Sequence, residues 1–246
     1  MMLLEELDTE FGKIRIIQSP SGICTYYQNG CSHSEADAEG ISTCAYIHVL
    51  YSLITQSAAK RVLMIGCAGG TLATMLHRAG HQVTVVDINP HAFTLAKRYF
   101  HMPEEICCIT HDGYAYLQNA PQHYDAIVVD VFSGDGQVPE VFTQPDFFCT
   151  ARHVLAQDGS VLMNIIVPLD DMMANDIVHH MASAGLPTFL FDWTNGSDRN
   201  IIIAGGSHIA NLQVDSDGPI PYHLKGLKGR KPQPYLRTRL GKLATI

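Results

Sequence analysis

The segment Lys60–Thr74 (KRVLMIGCAGGTLAT) constrains the fold of this chain more than any other stretch. A short apolar run, Val62–Ile65, leads into a glycine-rich turn, Gly66–Thr71, and an apolar helical pattern follows. Strand, glycine turn and helix in this order open the nucleotide pocket of a doubly wound sheet. Glycine suits the turn because it accepts positive φ and lets the backbone approach a ligand. Ordinary strand–helix connections use the same pattern, so the turn alone favours a nucleotide site only weakly.

Apolar strands and helices alternate after this turn. The pattern predicts strands at 82–87, 105–110, 124–130, 159–167, 187–193 and 200–206, and helices at 91–99, 114–118, 146–156 and 171–184. Nearly continuous apolar strands separated by helices indicate a parallel sheet that is covered on both faces. The last two strands are joined by a hairpin-like connection, which predicts an antiparallel final strand. This α/β architecture is typical of S-adenosylmethionine-dependent transferases.

The chain before residue 58 has a different character. Residues 11–27 predict a small hairpin or meander, residues 33–40 a polar loop, and residues 41–55 a helix. We therefore expect a β-rich N-terminal segment with a linking helix (1–57), a nucleoside-binding domain (58–208) and a basic tail (209–246). Seven of the 16 basic residues follow His223 and no acid does, so all 24 acids lie before it. A tail that docks on its own acidic domain or stays solvated is favoured over one that binds nucleic acid or an acidic partner.

Composition limits the other classes of function. Apolar residues make up 46% of the 246-residue chain, which excludes global disorder. The first ten residues carry acids where a secretory signal carries bases, and no apolar run is long enough for a membrane span. We therefore expect a soluble, cytoplasmic protein. The seven cysteines form no C-x-x-C pair and the 13 histidines no H-E-x-x-H motif, so the sequence predicts neither a metal site nor a disulfide framework.

Polar side chains follow three successive predicted strands. Asp87 ends the second strand, at the place where a carboxylate accepts the hydroxyls of a ribose. Asp112 and Gly113 follow the third, where a carboxylate can accept a hydrogen bond from an adenine amino group. Aspartate at a strand end can also cap the next helix, and Pro90 makes this a rival interpretation for Asp87. Acids on neighbouring strand ends beside a glycine turn favour a nucleoside site over capping alone.

The fourth strand ends in Asp130, with Ser133 and Asp135 just beyond it. No G-x-x-x-x-G-K-[ST] motif is present, which excludes a P-loop. The turn also lacks the G-x-G-x-x-G spacing of a dinucleotide site, so a nicotinamide-dependent oxidoreductase is disfavoured.

Several of these motifs together resemble the spermidine synthase (polyamine aminopropyltransferase) superfamily, and most closely its divergent bacterial spermidine synthase-like branch. The matching stretches are RVLMIGCAGGTLA, VTVVDINP, AKRYF, DGYAYL, YDAIVVDVFSGDGQVPEVF and NIIIAGG. The resemblance implies a Rossmann-like methyltransferase fold preceded by a small β-domain. The implied cosubstrate-binding residues are Gly66, Gly69, Gly70, Asp87, Asp112 and Gly113, the implied catalytic residue is Asp130, and the acceptor-side candidates are Ser133 and Asp135.

Two acidic residues of this family have no match at the same position in this chain. Ala68 stands where the synthases carry an aspartate within the glycine turn. The second aspartate of their catalytic loop is replaced by Ser133, with Asp135 offset by two positions. The N-terminal Tyr-His-Glu pattern has at most an echo in Tyr46 and His48. The nucleoside half of the site therefore matches the family better than the acceptor half.

The function that the resemblance implies is transfer of an aminopropyl or methyl group to an amine-type acceptor. The cosubstrate would be S-adenosylmethionine or its decarboxylated form, with no metal. Two alternatives stay open: a methyltransferase acting on another small molecule, and a nucleoside-binding module without turnover. Members of this family often form dimers through the N-terminal region, so a homodimer is the assembly that the resemblance implies.

Overall fold

The computed structural model describes residues 1–133, 136–167, 172–192 and 199–212. The predicted basic tail beyond residue 212, the connection at 193–198 and Asp135 lie outside the described residues.

The N-terminal segment forms a four-stranded antiparallel sheet. Its strands are β1 (Met2–Thr9), β2 (Gly12–Gln18), β3 (Cys24–Gln28) and β4 (Cys31–Ala36), and they pair in sequence order. The sheet is larger than the predicted hairpin or meander, and the loop predicted at 33–40 is wrong in its first half because β4 runs to Ala36. Leucine and glutamate in β1 favour helix intrinsically, but Glu6 lies opposite Arg15 of β2 and accepts a 2.6 Å ion-pair hydrogen bond from its Nε.

The second sheet has seven strands in the described part of the chain. They are β5 (Arg61–Ile65), β6 (Gln82–Asp87), β7 (Cys107–Thr110), β8 (Tyr124–Val129), β9 (Leu155–Val167), β10 (Thr188–Asp192) and β11 (Arg199–Gly205). Their order is β10-β11-β9-β8-β5-β6-β7, and β5 to β9 pair in parallel. The final strand, β11, runs antiparallel to both of its neighbours. This topology confirms the predicted fold class.

Helices cover both faces of this sheet. They are α1 (Ala45–Gln56), α2 (Thr71–Arg78), α3 (Pro90–Tyr99), α4 (Gly113–Gln118), α5 (Pro145–Val154) and α6 (Met173–Ser183). Val62 and Met64 of β5 belong to the hydrophobic cluster on one face, whereas Leu63 and Ile65 belong to the cluster on the other. Burial on both sides is why β5 reads as an uninterrupted apolar run.

A third hydrophobic cluster joins the two sheets. Ile14, Ile16 and Tyr26 of the N-terminal sheet pack with Leu95 of α3 and Phe100 just after it. This packing holds the N-terminal sheet over the carboxyl ends of the parallel strands. No helix among the described residues is long and apolar enough to cross a membrane.

Candidate active site

A cleft of about 680 Å³ lies between the two sheets. One side is formed by the carboxyl ends of β5, β6, β7 and β8, which contribute Gly66, Asp87, Asp112 and Asp130 respectively. The other side is formed by residues of the N-terminal sheet. The volume falls in the range typical of small-molecule sites. The predicted carboxylates of three different strand ends therefore meet in one cavity.

The glycine turn contributes to the cleft mainly through its first half. Gly66 lines the cleft at a φ of 98°, and a Cβ there would overlap the carbonyl oxygen of Asp130. The Asp130 N–H also donates to the Ile65 carbonyl at 3.0 Å. Glycine is required at position 66 because the chain leaving β8 passes directly against the turn, not only because a ligand must approach.

Gly69 and Gly70 are not among the residues that line the cleft. A Cβ on Gly69 would lie 2.8 Å from Ser34 Cβ, and one on Gly70 would lie 2.6 Å from Met102 Sδ. These two glycines allow the turn to pack tightly against neighbouring elements. Their predicted contact with the cosubstrate stays a prediction.

Ala68, which lies between Gly66 and Gly69 in the turn, lines the cleft. Its φ of 44° lies in the left-handed region, which disfavours a residue with a Cβ by about 1–2 kcal/mol. The turn therefore presents a methyl group to the cleft, and no charge, at the position where the family has an aspartate.

Asp87 is held rigidly in the cleft wall by backbone donors. Its Oδ2 accepts from the Cys67 N–H and its Oδ1 from the Asn89 N–H, both at 2.8 Å. Burial raises the pKa of the Asp87 carboxyl, while these N–H groups oppose the rise. Asn89, and not Asp87, caps α3 by accepting from the His91 N–H at 3.1 Å. The capping interpretation is therefore wrong for Asp87, whose oxygens retain lone pairs for ligand hydroxyls.

Asp112 is both a helix cap and a cleft residue. Its Oδ1 accepts from the Ala115 N–H at 2.7 Å at the start of α4, as the capping interpretation predicts. The carboxylate nevertheless lines the cleft. A Cβ on the neighbouring Gly113 would overlap Ile65 Cγ2, so glycine is needed there for α4 to approach β5.

Two side chains hold the carboxylate of Asp130. Its Oδ1 accepts from Asn164 Nδ2 at 2.8 Å and its Oδ2 from the Tyr46 hydroxyl at 3.3 Å. Burial raises the pKa of the Asp130 carboxyl from 3.8 to about 6, and the two hydrogen bonds moderate the rise. A carboxyl with a pKa near 6 is ionised at neutral pH and is a better proton acceptor than an ordinary aspartate.

This hydrogen-bonding arrangement makes a prediction for Tyr46→Phe. Because the Tyr46 hydroxyl stabilises the ionised carboxylate, its removal should move the pKa of Asp130 above the wild-type value of about 6. The proton-accepting form would then be lost at a higher pH than in the wild type. Carbon-detected NMR titration of the Asp130 carboxyl measures this change, with Tyr51→Phe on the same helix as the control. A wild-type pKa near 3.8, or no shift in Tyr46→Phe, would contradict this description.

The acceptor-side candidates are only partly described. Ser133 lines the cleft, and its Oγ donates to the Gln137 carbonyl at 2.8 Å. Asp135 lies outside the described residues. No group of three or more His, Cys, Asp or Glu within the described ranges is arranged to hold a metal ion.

Sequence reasoning missed three residues of the site: Asn164, which contacts Asp130, and two residues that line the cleft. Asn164 is only 1% exposed and is a polar residue within the apolar strand β9, a signal that could have identified it. The β8–β9 register pairs Val129 with Met163, so Asn164 follows beside Asp130. Tyr26 and His33 line the cleft from the N-terminal sheet, and no local sequence pattern indicates their position.

Comparisons with known proteins identify the family of this chain. The chain matches the spermine/spermidine synthase domain over residues 46–182. It is 34% identical over 121 residues to the N-terminal histidine N-methyltransferase of Emericella nidulans, covering 47% of this chain and 21% of that protein. It is 30% identical over 117 residues to a polyamine aminopropyltransferase of Neisseria meningitidis, covering 46% of this chain and 44% of that protein. These matches therefore span less than half the length of either relative.

A solved structure covers much more of the chain. The crystal structure of a probable spermidine synthase from Corynebacterium glutamicum superimposes with a TM-score of 0.76, covering 94% of this chain and 97% of that one. At 17% identity this likeness shows the fold. The family match spans more than half of the chain and includes the strand ends that form the cleft. On that basis, this protein belongs to the spermine/spermidine synthase domain family.

Proposed function

We propose that this protein transfers an aminopropyl or methyl group from S-adenosylmethionine, or its decarboxylated form, to a nitrogen of a small amine acceptor. The observation that carries the proposal is the placement of Asp130, with its pKa of about 6, in the same cleft as Asp87. Relatives whose names state aminopropyl transfer or N-methylation support the reaction class.

The nucleoside half of the reaction rests on the first two strand ends. Asp87 would accept hydrogen bonds from the ribose hydroxyls, because its carboxylate is fixed by two backbone N–H groups before any ligand arrives. Asp112 would accept a hydrogen bond from the adenine amino group beside Gly113. Fixing these groups in advance lowers the entropy lost on binding.

The chemical half rests on Asp130. The sulfonium supplies an electrophilic carbon, and attack requires a neutral amine aligned with the breaking carbon–sulfur bond. As the nitrogen–carbon bond forms, the bond to sulfur breaks and leaves a thioether, and the amine must lose a proton. Asp130 would orient the amine and accept that proton, while Tyr46 and Asn164 keep the carboxylate ionised and in place.

An assay of product formation tests this proposal directly. Purified protein would be incubated with S-adenosylmethionine or its decarboxylated form and a panel of amines that includes putrescine. We expect mass spectrometry to detect S-adenosylhomocysteine or methylthioadenosine, respectively, in an acceptor-dependent manner. Binding without either product across the panel would instead support a nucleoside-binding module without turnover. Decarboxylated cosubstrate that binds without giving product with putrescine would exclude spermidine synthesis. A cytoplasmic location and a homodimer stay predictions.

A further inference from the structure

The wall of the cleft opposite the glycine turn is polar but almost uncharged. The N-terminal sheet supplies Tyr26 and His33 to this wall, together with the amide side chains of Gln28 and Asn29. The acid that this sheet contributes to the described lining is Glu10, exposed at the tip of the β1–β2 hairpin. The remaining carboxylates of the cleft belong to the parallel-sheet side. This wall therefore offers neutral hydrogen-bonding groups.

A β-bulge aims His33 into this wall. Tyr27 pairs with Ser32 and Tyr26 with Ser34, so His33 is the extra residue of β4. A bulge of this kind redirects a side chain that regular pairing would place elsewhere. The adjacent Ser34 Oγ accepts from the Gly69 N–H at 3.1 Å, which fixes β4 directly against the glycine turn. The His33 ring therefore lies near the end of the turn that follows Gly66.

Tyr26 and His33 each hold a polar group that no described residue satisfies. His33 Nε2 is shielded from solvent and has no hydrogen-bond partner within the described ranges. The Tyr26 hydroxyl makes no hydrogen bond to any residue that the structure describes, and the two rings meet edge-on with centroids 6.5 Å apart. Rotation of the histidine about χ2, which is a soft torsion, would turn Nε2 toward a ligand.

Both side chains keep a neutral form that can donate. Burial lowers the pKa of His33, so the imidazole is neutral at physiological pH and carries one N–H. Burial, together with the nearby Asp87 and Cys67, raises the pKa of the Tyr26 hydroxyl, which keeps its proton. A buried polar atom without a partner, such as His33 Nε2, is unfavourable, so a ligand acceptor placed at this wall gains hydrogen bonds that the described residues do not supply.

The tails of the two cosubstrate forms need different hydrogen-bonding groups from this wall. The aminopropyl tail of the decarboxylated form ends in an ammonium group, which requires acceptors and favours a carboxylate. The tail of intact S-adenosylmethionine carries a carboxylate in addition, which requires donors. Ala68 presents no charge that would repel that carboxylate, and Tyr26 and His33 supply donors facing the turn.

We propose that the cleft takes intact S-adenosylmethionine, and that Tyr26 and His33 bind the carboxylate of its methionine tail. This inference rests on the proposed function and specifies methyl as the transferred group. The bond from the acceptor nitrogen to the methyl carbon forms as the methyl–sulfur bond breaks, and the electron pair of that bond stays on sulfur. S-adenosylhomocysteine is the product, and the acceptor's proton goes to Asp130.

Isothermal titration of the full chain with four nucleosides tests the inference. We expect S-adenosylmethionine and S-adenosylhomocysteine, which carry the carboxylate, to bind at least tenfold more tightly than decarboxylated S-adenosylmethionine and methylthioadenosine, which lack it. Equal or tighter binding of the decarboxylated form would overturn this inference and leave the proposed function standing. Failure of all four to bind would overturn the proposed function itself.

Variants of the wall separate tail recognition from a structural role. His33→Ala and Tyr26→Phe should each weaken S-adenosylmethionine about tenfold and leave methylthioadenosine unchanged, because the latter has no tail to bind. His33→Gln, which keeps a side-chain donor, should recover part of the loss. The matched control is His153→Ala on the exposed face of α5, which should change neither affinity. Equal loss of both nucleosides in His33→Ala and Tyr26→Phe would assign these residues to folding and contradict the inference.

Discussion

Replacing Asp130 with asparagine is expected to slow turnover by about 10²- to 10⁴-fold while leaving nucleoside affinity within about twofold of the wild type. Asparagine has nearly the same shape and keeps an oxygen for Asn164, but it cannot accept the proton of the acceptor amine. The proposed nucleoside contacts are made by Asp87 and Asp112, and this change leaves both carboxylates in place. Rates of thioether-nucleoside formation and calorimetric titration measure the two quantities separately.

The control for this variant is Asp146→Asn, which removes an exposed carboxylate from the first turn of α5 and should leave turnover unchanged. Full turnover by Asp130→Asn would remove Asp130 from the mechanism. Parallel loss of turnover and nucleoside binding would instead make Asp130 part of the nucleoside site.

Replacing Gly66 with alanine is expected to lower the free energy of unfolding by about 2–5 kcal/mol. One contribution is the φ of 98°, which disfavours alanine by about 1–2 kcal/mol. The other is the overlap of the new Cβ with the Asp130 carbonyl oxygen, and forced overlaps of this kind typically contribute another 1–3 kcal/mol. Urea denaturation followed by circular dichroism measures the loss.

Gly22→Ala is the matched control for this change. Gly22 has a similar φ of 87°, but a Cβ there would meet nothing within 4 Å. It should therefore show the backbone contribution alone, and the difference between the two variants should report the contact between the turn and Asp130. Equal losses would contradict the tight packing of β8 against the glycine turn.

The parallel sheet could be predicted from sequence because its determinants are local. Alternate residues of β5 face two different hydrophobic clusters, so the strand is apolar throughout and stands out from the surrounding chain. The carboxyl ends of parallel strands also meet at one edge, which is why Asp87, Asp112 and Asp130 could be assigned to a single site before their positions were known.

The wall formed by the N-terminal sheet could not be predicted in the same way. The strand β4 is half exposed and rich in polar residues, and its position beside the glycine turn depends on pairing with β3 and on packing against Phe100. Neither the bulge at His33 nor the contact of Ser34 with Gly69 has a local sequence signature. The sequence also does not distinguish the two reasons for glycine at Gly66, Gly69 and Gly113, because ligand approach and tight packing both require that residue.

The hydrogen bonds to Asp130 could be predicted from the sequence only in part. Tyr46 has only an echo of a family pattern in the sequence, and its contact with Asp130 joins residues 84 positions apart. Asn164 lies within a stretch whose pattern predicts an apolar strand. A single buried polar residue in such a strand requires a hydrogen-bond partner, and its partner here is Asp130.

We propose that the cleft between the two sheets is a site for a sulfonium-linked adenosine. Calorimetric titration of the full chain with methylthioadenosine, the fragment shared by both cosubstrate forms, and separately with NAD tests it most directly. We expect methylthioadenosine to bind, Asp87→Ala to weaken this binding at least tenfold, and NAD not to bind detectably. Binding of NAD with no binding of methylthioadenosine would show that the cleft is not such a site.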